Sequence, residues 1–347
     1  MSKMVAHTVP FGAQGRLDSY LVEAGLYKSR SLAAKQIEAG EVYVNGSIET
    51  KKYQVQPGDF IVYGEYVEIN HVYLEPEDIP LNVVFEDDVL LVLDKQAGLV
   101  CHPAQNHTSG TLCNALIYRY GRDNLAHIQG DDRPGIVHRL DGYTSGLMLC
   151  AKDDEVGFLL QDEIRSRNVN RRYLALVHGT IAKDTGLIDA PIFRSQKDRL
   201  RMEVSNKEKA RSSVTTFKVL ERFEAGTKDN GYSLVECKLY SGRTHQIRVH
   251  MEYIKHPVVG DPTYGTQGKR DELGLTRQFL HSYFIEFEHP LSHETLAFTS
   301  LLPEDLQEAL STLAERRIGL TEHGREVLAD IINDKGLDET IDSFAFL

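Results

Sequence analysis

Apolar residues recur at helical spacing in residues 16–24 (RLDSYLVEA), where Leu17, Tyr20, Leu21 and Ala24 share one face and Gly25 ends the pattern. A second helix is predicted over SRSLAAKQIEAG, with Ser29 or Ser31 as its N-cap and Gly40 as its stop. Val42 and Val44, then Asn45-Gly46, then Ile48 form the strongest short hairpin signal in the chain. QPGDFIVYGEYVEI supplies a further turn and strand. Helix, helix, hairpin and strand together predict a small α/β module over 14–70. The segment 71–82 contains the acidic, proline-bearing EPEDIPLN and reads as a linker.

From residue 83 the pattern changes. Strand-like runs dominate: VVFED, VLLVLDK, GLMLCAKD, RYLALVHG, TTFKVLERF and YSLVECKLY. Helical patterns (TLCNALIYRYG, EVGFLLQDEIRS, THQIRVHMEYI) are interspersed without regular strand–helix alternation. This predicts an α+β domain over 83–303, with helices packed on a mixed, mainly antiparallel sheet rather than a doubly wound parallel one. PEDLQEALSTLAERR, with Leu306, Leu310 and Leu313 on one face, and REVLADIIND predict two helices in an acidic extension, 304–347.

The net charge of −12 argues against a nucleic-acid ligand until its distribution is read. Residues 304–347 hold eleven acidic and four basic side chains, and 75–88 hold six acidic and none basic, so these two segments carry the whole deficit. In contrast, 165–211 holds twelve Arg and Lys against five Asp and Glu, a local field suited to a polyanion. No run approaches the roughly 18 apolar residues a membrane helix needs, and the start lacks an apolar signal core, so a cytoplasmic protein is expected. The four cysteines lie far apart with no C-x-x-C pair, and no glycine-rich phosphate loop follows a strand. Neither a metal nor a nucleotide cofactor is expected.

Three segments concentrate chemistry. In GIVHRLDGYTSGLMLCAK, two apolar stretches flank a polar loop in which Asp141 stands close to Arg139. That setting suits a carboxylate kept ionised and aimed into a cleft, although Asp-Gly and Ser-Gly also read as a tight turn. In LYSGRTHQIRVH, Arg243 stands where a strand pattern yields to a helical one, with Thr244 as a candidate N-cap and His245, Arg248 and His250 further along. The two histidines, five apart, do not match metal-ligand spacing on a helix, and packing or a satisfied hydrogen bond accounts for them. In RSRNVNRRYLALVHG, Arg171 and Arg172 precede Tyr173, an aromatic with paired cations that could stack on a base or simply edge a strand. The elbow of a serine hydrolase and the paired carboxylates of a glycosidase are both missing.

Together these segments resemble the RluA-type family of pseudouridine synthases. GIVHRLDGYTSGL is similar to that family's catalytic loop, RRYLALVHG to its base-stacking strand and LYSGRTHQIRVHM to its arginine-bearing motif. GLVCHP, SGTLCNAL, VVGDPTYG and LHSYFIEFEHP also match, and the first 60 or so residues resemble a small RNA-binding module named after a ribosomal protein. The chain departs from the family at Gln96, where Pro is usual, and at Phe193, where Gly is usual. The resemblance implies the pseudouridine synthase fold and the cofactor-free isomerisation of uridine in RNA, large-subunit ribosomal RNA before transfer RNA. It implies Asp141 as the catalytic carboxylate, Arg243 paired with it, Tyr173 stacked on uracil and Arg139 in the space left by a flipped nucleotide. Arg171 and Arg172 are expected to grip RNA, as are Arg165, Arg167, Arg199 and Arg201. Lys28, Arg30 and Lys35 are expected to do so in the front module. A monomer is expected. Two other classes share these residues: a non-catalytic RNA-binding protein on a retired synthase fold, and a base-excising hydrolase that breaks the same bond.

Overall fold

The structure is a computed structural model that describes residues 4–27, 29–64, 74–103, 107–198, 200–265 and 272–332. The chain divides into two compact units, Met1–His71 and Val72–Leu347. In the smaller unit the helices are Leu17–Glu23 and Arg30–Glu38, and the Ser29 hydroxyl caps the second by accepting from the Leu32 N–H. Asn45 and Gly46 both take positive φ (52° and 82°), the condition for the type I′ turn joining Val42–Val44 to Ser47–Ile48. Phe60–Gly64 pairs with Val42–Val44 and with Met4–Thr8, a strand that the sequence reading omits. The predicted continuation of that strand past 64, and Lys28, lie outside the described residues.

The larger unit is built on a ten-stranded sheet. In chain order its elements are β1 (Asn82–Glu86), β2 (Leu90–Lys95), α1 (Leu112–Tyr120), β3 (Ser145–Ala151), α2 (Asp154–Ser166), β4 (Asn170–His178), β5 (Thr185–Asp189), β6 (Val214–Phe223) and β7 (Tyr232–Leu239). There follow α3 (Gln246–Tyr253), β8 (Leu280–Glu288), β9 (Thr295–Thr299), α4 (Glu304–Ser311), β10 (Arg317–Leu320) and α5 (Glu322–Ile332). Strand order is β5-β6-β7-β4-β8-β3-β2-β1, with β9 beside β8 and β10 beside β6. The pairs are antiparallel except the short β3–β8 contact, giving the mainly antiparallel α+β sheet that the pattern predicts.

Burial on both faces explains the continuous apolar runs. Leu91 and Leu93 of β2 face α1 residues Leu112 and Leu116, whereas Leu90 and Val92 share a core with Val156 and Leu160 of α2. The C-terminal helices also complete a core: Leu306, Leu310 and Leu313 join Val327, Leu328 and Ile331 against the sheet. The predicted helix through 317 stops at Ser311, because Arg317–Leu320 gives its backbone hydrogen bonds to β6 instead. Residues 74–81 are held to the same unit, with Leu74 buried and the Glu75 and Pro80 carbonyls accepting from Asn114 and Gln96.

One row across the sheet positions the site. Lys95, Gly146, Ser282, Tyr173 and Cys237 are successive partners on β2, β3, β8, β4 and β7. Gly146 is required there: its φ is +109°, and a Cβ would stand 2.2 Å from the Ser282 carbonyl oxygen. Next to Tyr173 the β4–β8 register slips between Arg172 and Tyr173, a bulge at the edge of the cleft.

Candidate active site

Asp141 lies in the loop that enters β3, where the Thr144 N–H donates to the Asp141 carbonyl in a tight turn. The next carbonyl, that of Gly142, accepts from the Gly98 N–H and from the buried Lys95 ammonium. Lys95 also donates to the Gln96 and Leu99 carbonyls, so one side chain ties two loop segments together behind Asp141. Burial pushes the Lys95 amine down to about 8, against the pull of Cys101 and Asp141.

The partner of Asp141 is Arg248. Its Nη1 donates to Asp141 Oδ2 at 2.9 Å, while Nε and Nη2 grip Asp261 in a two-point contact at 2.6 and 2.8 Å. Asp261 has no exposed side-chain surface, Arg248 has 5% and Asp141 17%, so the row runs from a dry interior to the cleft mouth. Burial opposes the charge on Arg248, but the Asp261 hydrogen bonds and the charges of Asp261 and Asp141 outweigh it and hold the guanidinium above its ordinary range. Two backbone N–H groups, from Thr263 and Tyr264, complete the Asp261 shell. Among the described residues the contacts of the Asp141 carboxylate fall on Oδ2, and Asp141 lines the cleft.

The expected pairing of Asp141 with Arg243 is therefore corrected. Arg243 does line the same cleft, but its Nε donates to the Ser212 carbonyl. The reason lies at the start of α3. His245, not Thr244, is the N-cap, in the left-handed conformation (φ 57°), and the helix begins one residue later than predicted. That turn lets the Gln246 amide oxygen accept from the Arg243 N–H and swings Arg248, one turn further on, toward the carboxylate. His245 also reaches the site. The Tyr264 hydroxyl accepts from the Met202 N–H and meets His245 Nδ1 at 2.9 Å, which leaves Nε2 facing Asp141 Oδ2 at 4.0 Å. Burial keeps the His245 pKa below its usual range, and the imidazole is neutral.

Tyr173 is buried in the same cleft, 4% exposed. Burial pushes its phenol up, against the Arg171 charge and a hydrogen bond with Ser282, so it keeps its proton at neutral pH. Arg139 is exposed at the rim, held at 2.8 Å by Nε2 of His102, whose Nδ1 meets the Pro103 carbonyl. Strand alternation separates the paired arginines. Arg171 lines the cleft, whereas Arg172 lies on the opposite face against Glu236 and over the Phe284 ring. The expectation that Arg172 grips RNA beside Tyr173 is corrected accordingly. Arg201 is committed to Glu252, the Thr263 carbonyl and the Tyr264 ring, and Arg199 lies outside the described residues. In the smaller unit Arg30 reaches Asp18 at 3.1 Å and Lys35 is exposed.

Sequence reasoning named Arg248 without giving it a role and assigned none to Asp261, His102 or Lys95. A signal existed for the first two. An arginine between Ile247 and Val249 in an apolar helix must meet a buried carboxylate, and GDPTY supplies one.

Residues 89–253 match the family model described as RNA pseudouridylate synthase, and residues 15–61 match that of the S4 domain. The chain is 42% identical to the uncharacterized RNA pseudouridine synthase YlyB of Bacillus subtilis, over 86% of its length and 94% of the relative's. It is 42% identical to the ribosomal large subunit pseudouridine synthase D of Xanthomonas campestris (88% and 92% covered) and 39% identical to the protein of that name from Pseudomonas aeruginosa (91% and 98% covered). Among solved structures, human RNA pseudouridylate synthase domain containing 1 superposes with a TM-score of 0.55 at 25% identity, over 74% of this chain and 97% of its own. Among the described residues no helix is long and apolar enough to cross a membrane.

Proposed function

Since this chain belongs to the RNA pseudouridylate synthases, with an S4 domain ahead of the synthase unit, it is an isomerase of uridine in RNA, and we propose that large-subunit ribosomal RNA is its substrate and Asp141 its catalytic residue. The names of the Xanthomonas and Pseudomonas relatives support the choice of RNA. The observation that carries the residue assignment is the Asp141–Arg248–Asp261 row, with Tyr173 in the same cleft.

The net reaction breaks N1–C1′, turns the uracil, joins C5 to C1′ and moves one proton from C5 to N1. It needs neither an oxidant nor a nucleotide. Whether the carboxylate removes the C2′ proton, attacks C1′ or adds to C6, it must be ionised and fixed in direction. Arg248 fixes the direction, because Asp261 locks it in place and no reorganisation is required when charge develops.

Tyr173 offers the detached uracil a buried aromatic face; with its phenol protonated, its part is stacking rather than uptake of the C5 proton. The target nucleotide leaves its stack to reach the cleft, at a cost of a few kcal/mol that stacking on Tyr173 and contacts from Arg139 offset. Arg243, at the cleft edge, contacts the RNA rather than the carboxylate.

The test is tritium release from RNA labelled at uridine C5. D141N is expected to abolish it while binding the same RNA, and turnover near that of the unaltered protein overturns the assignment.

A further inference from the structure

Beside the base cleft runs a second groove, of about 690 Å³, whose lining includes Arg139, Arg165, Arg167, Arg171, Arg211 and Arg243 and no carboxylate. Two features mark it as built for an anion. Arg171 is 5% exposed, yet among the described residues its guanidinium forms no ion pair and its Nε has no hydrogen-bond partner. A buried, unpaired cation is costly, so the fold retains it at a loss unless a negative ligand arrives. His138 points the same way. Its Nε2 accepts the Leu149 N–H at 2.9 Å, which places the ring proton on Nδ1, and Nδ1 is buried without a partner. Burial and the neighbouring Arg171 charge hold this imidazole neutral, near a pKa of 3. Arg171 belongs to both cavities, lining the groove and the base cleft.

We propose that this groove is a phosphodiester subsite, adjoining the base cleft, that takes the RNA backbone next to the target uridine, with Arg171 Nε–H and His138 Nδ1–H donating to its non-bridging oxygens. The proposal rests on the reading of RNA as substrate. A phosphodiester fits because Arg171 and His138 offer donors in a groove whose lining holds no carboxylate, and because a continuous strand must leave the base cleft on some side. Arg165 is paired with Asp162, and the other five guanidiniums of the groove repel one another until a polyanion enters.

The experiment uses the full chain and the double substitution R167N/R211Q. Both arginines are exposed, and Arg167 sits at φ +70°, which Asn accepts. Fluorescence anisotropy with a uridine-containing RNA hairpin gives Kd at several salt concentrations, and tritium release from a large-subunit transcript gives kcat and KM. The double variant is expected to raise Kd and KM about tenfold, to leave kcat within about twofold, and to flatten the log Kd against log salt slope by about 0.7 per lost contact. H138A is expected to raise KM, and H138N, whose amide can replace the Nδ1 donor, to restore it. Unchanged Kd in R167N/R211Q, or a fall in kcat at constant KM, overturns the subsite. A chain that releases no tritium from any RNA fails the synthase reading instead, and the anisotropy series still decides the groove.

Discussion

Replacing Arg248 by Met separates two consequences of one side chain. The guanidinium holds Asp141 at 2.9 Å and neutralises Asp261, which has no exposed side-chain surface. Loss of a fixed donor from a charge-developing site costs about 10²–10³ in kcat, or ~3–4 kcal/mol. Leaving Asp261 buried and unpaired adds a separate loss of ~3–5 kcal/mol in folding stability. The two are distinguished by R248M/D261N. The amide removes the buried negative charge while its oxygen still accepts from the Thr263 and Tyr264 N–H groups, so most of the stability should return. Activity should not return, because nothing then orients Asp141. The assay pairs denaturant unfolding with single-turnover tritium release, at a temperature where circular dichroism shows every variant folded. If the double variant recovers isomerisation along with stability, Arg248 serves only the fold and the argument fails.

R243M leaves the Asp141–Arg248 contact untouched, so kcat should stay within about tenfold while KM rises; a kcat loss equal to that of R248M would restore Arg243 as the carboxylate's partner. Acid should destabilise the protein before its carboxylates titrate. Burial holds His138 near 3 and His281 near 4, against 6.5 in an open chain, so both are neutral in the fold. The unfolded chain takes up their protons below 6.5, hence stability is complete above that pH and falls as pH drops, by at most about 5 kcal/mol between 6.5 and 4.5. Denaturant midpoints that stay flat across that window would contradict this, and H281Q should flatten the slope. G146A places a methyl 2.2 Å from the Ser282 carbonyl oxygen at φ +109°, and should cost ~3 kcal/mol or more by thermal unfolding; an unchanged midpoint would show that β3 and β8 can part without penalty.

Local chemistry was legible wherever neighbours along the chain settle it. Ser29 caps its helix, Asn45-Gly46 turns its hairpin, and the six apolar runs are strands, because propensity and period act over a few residues. β8 escaped that reading: His281 and Ser282 interrupt its apolar pattern, and only the adjoining β3 and β4 make those polar positions interior. Likewise Asp141 and Tyr173 were recognisable as residues, and their meeting in one cleft follows from the row that Gly146 and Ser282 bring into register.

The choice between Arg243 and Arg248 lay beyond local pattern. Both stand in one short segment, five residues apart, and either could reach a carboxylate. A left-handed His245 and a carboxylate at 261, buried where α3 meets the loop after it, determine which one does. Burial and long-range charge pairing depend on segments distant in sequence, so the order of residues names the candidates and the assembled fold selects among them. The division of Arg171 from Arg172 has the same origin, since a strand sends neighbours to opposite faces and only the packed sheet says which face holds the cleft.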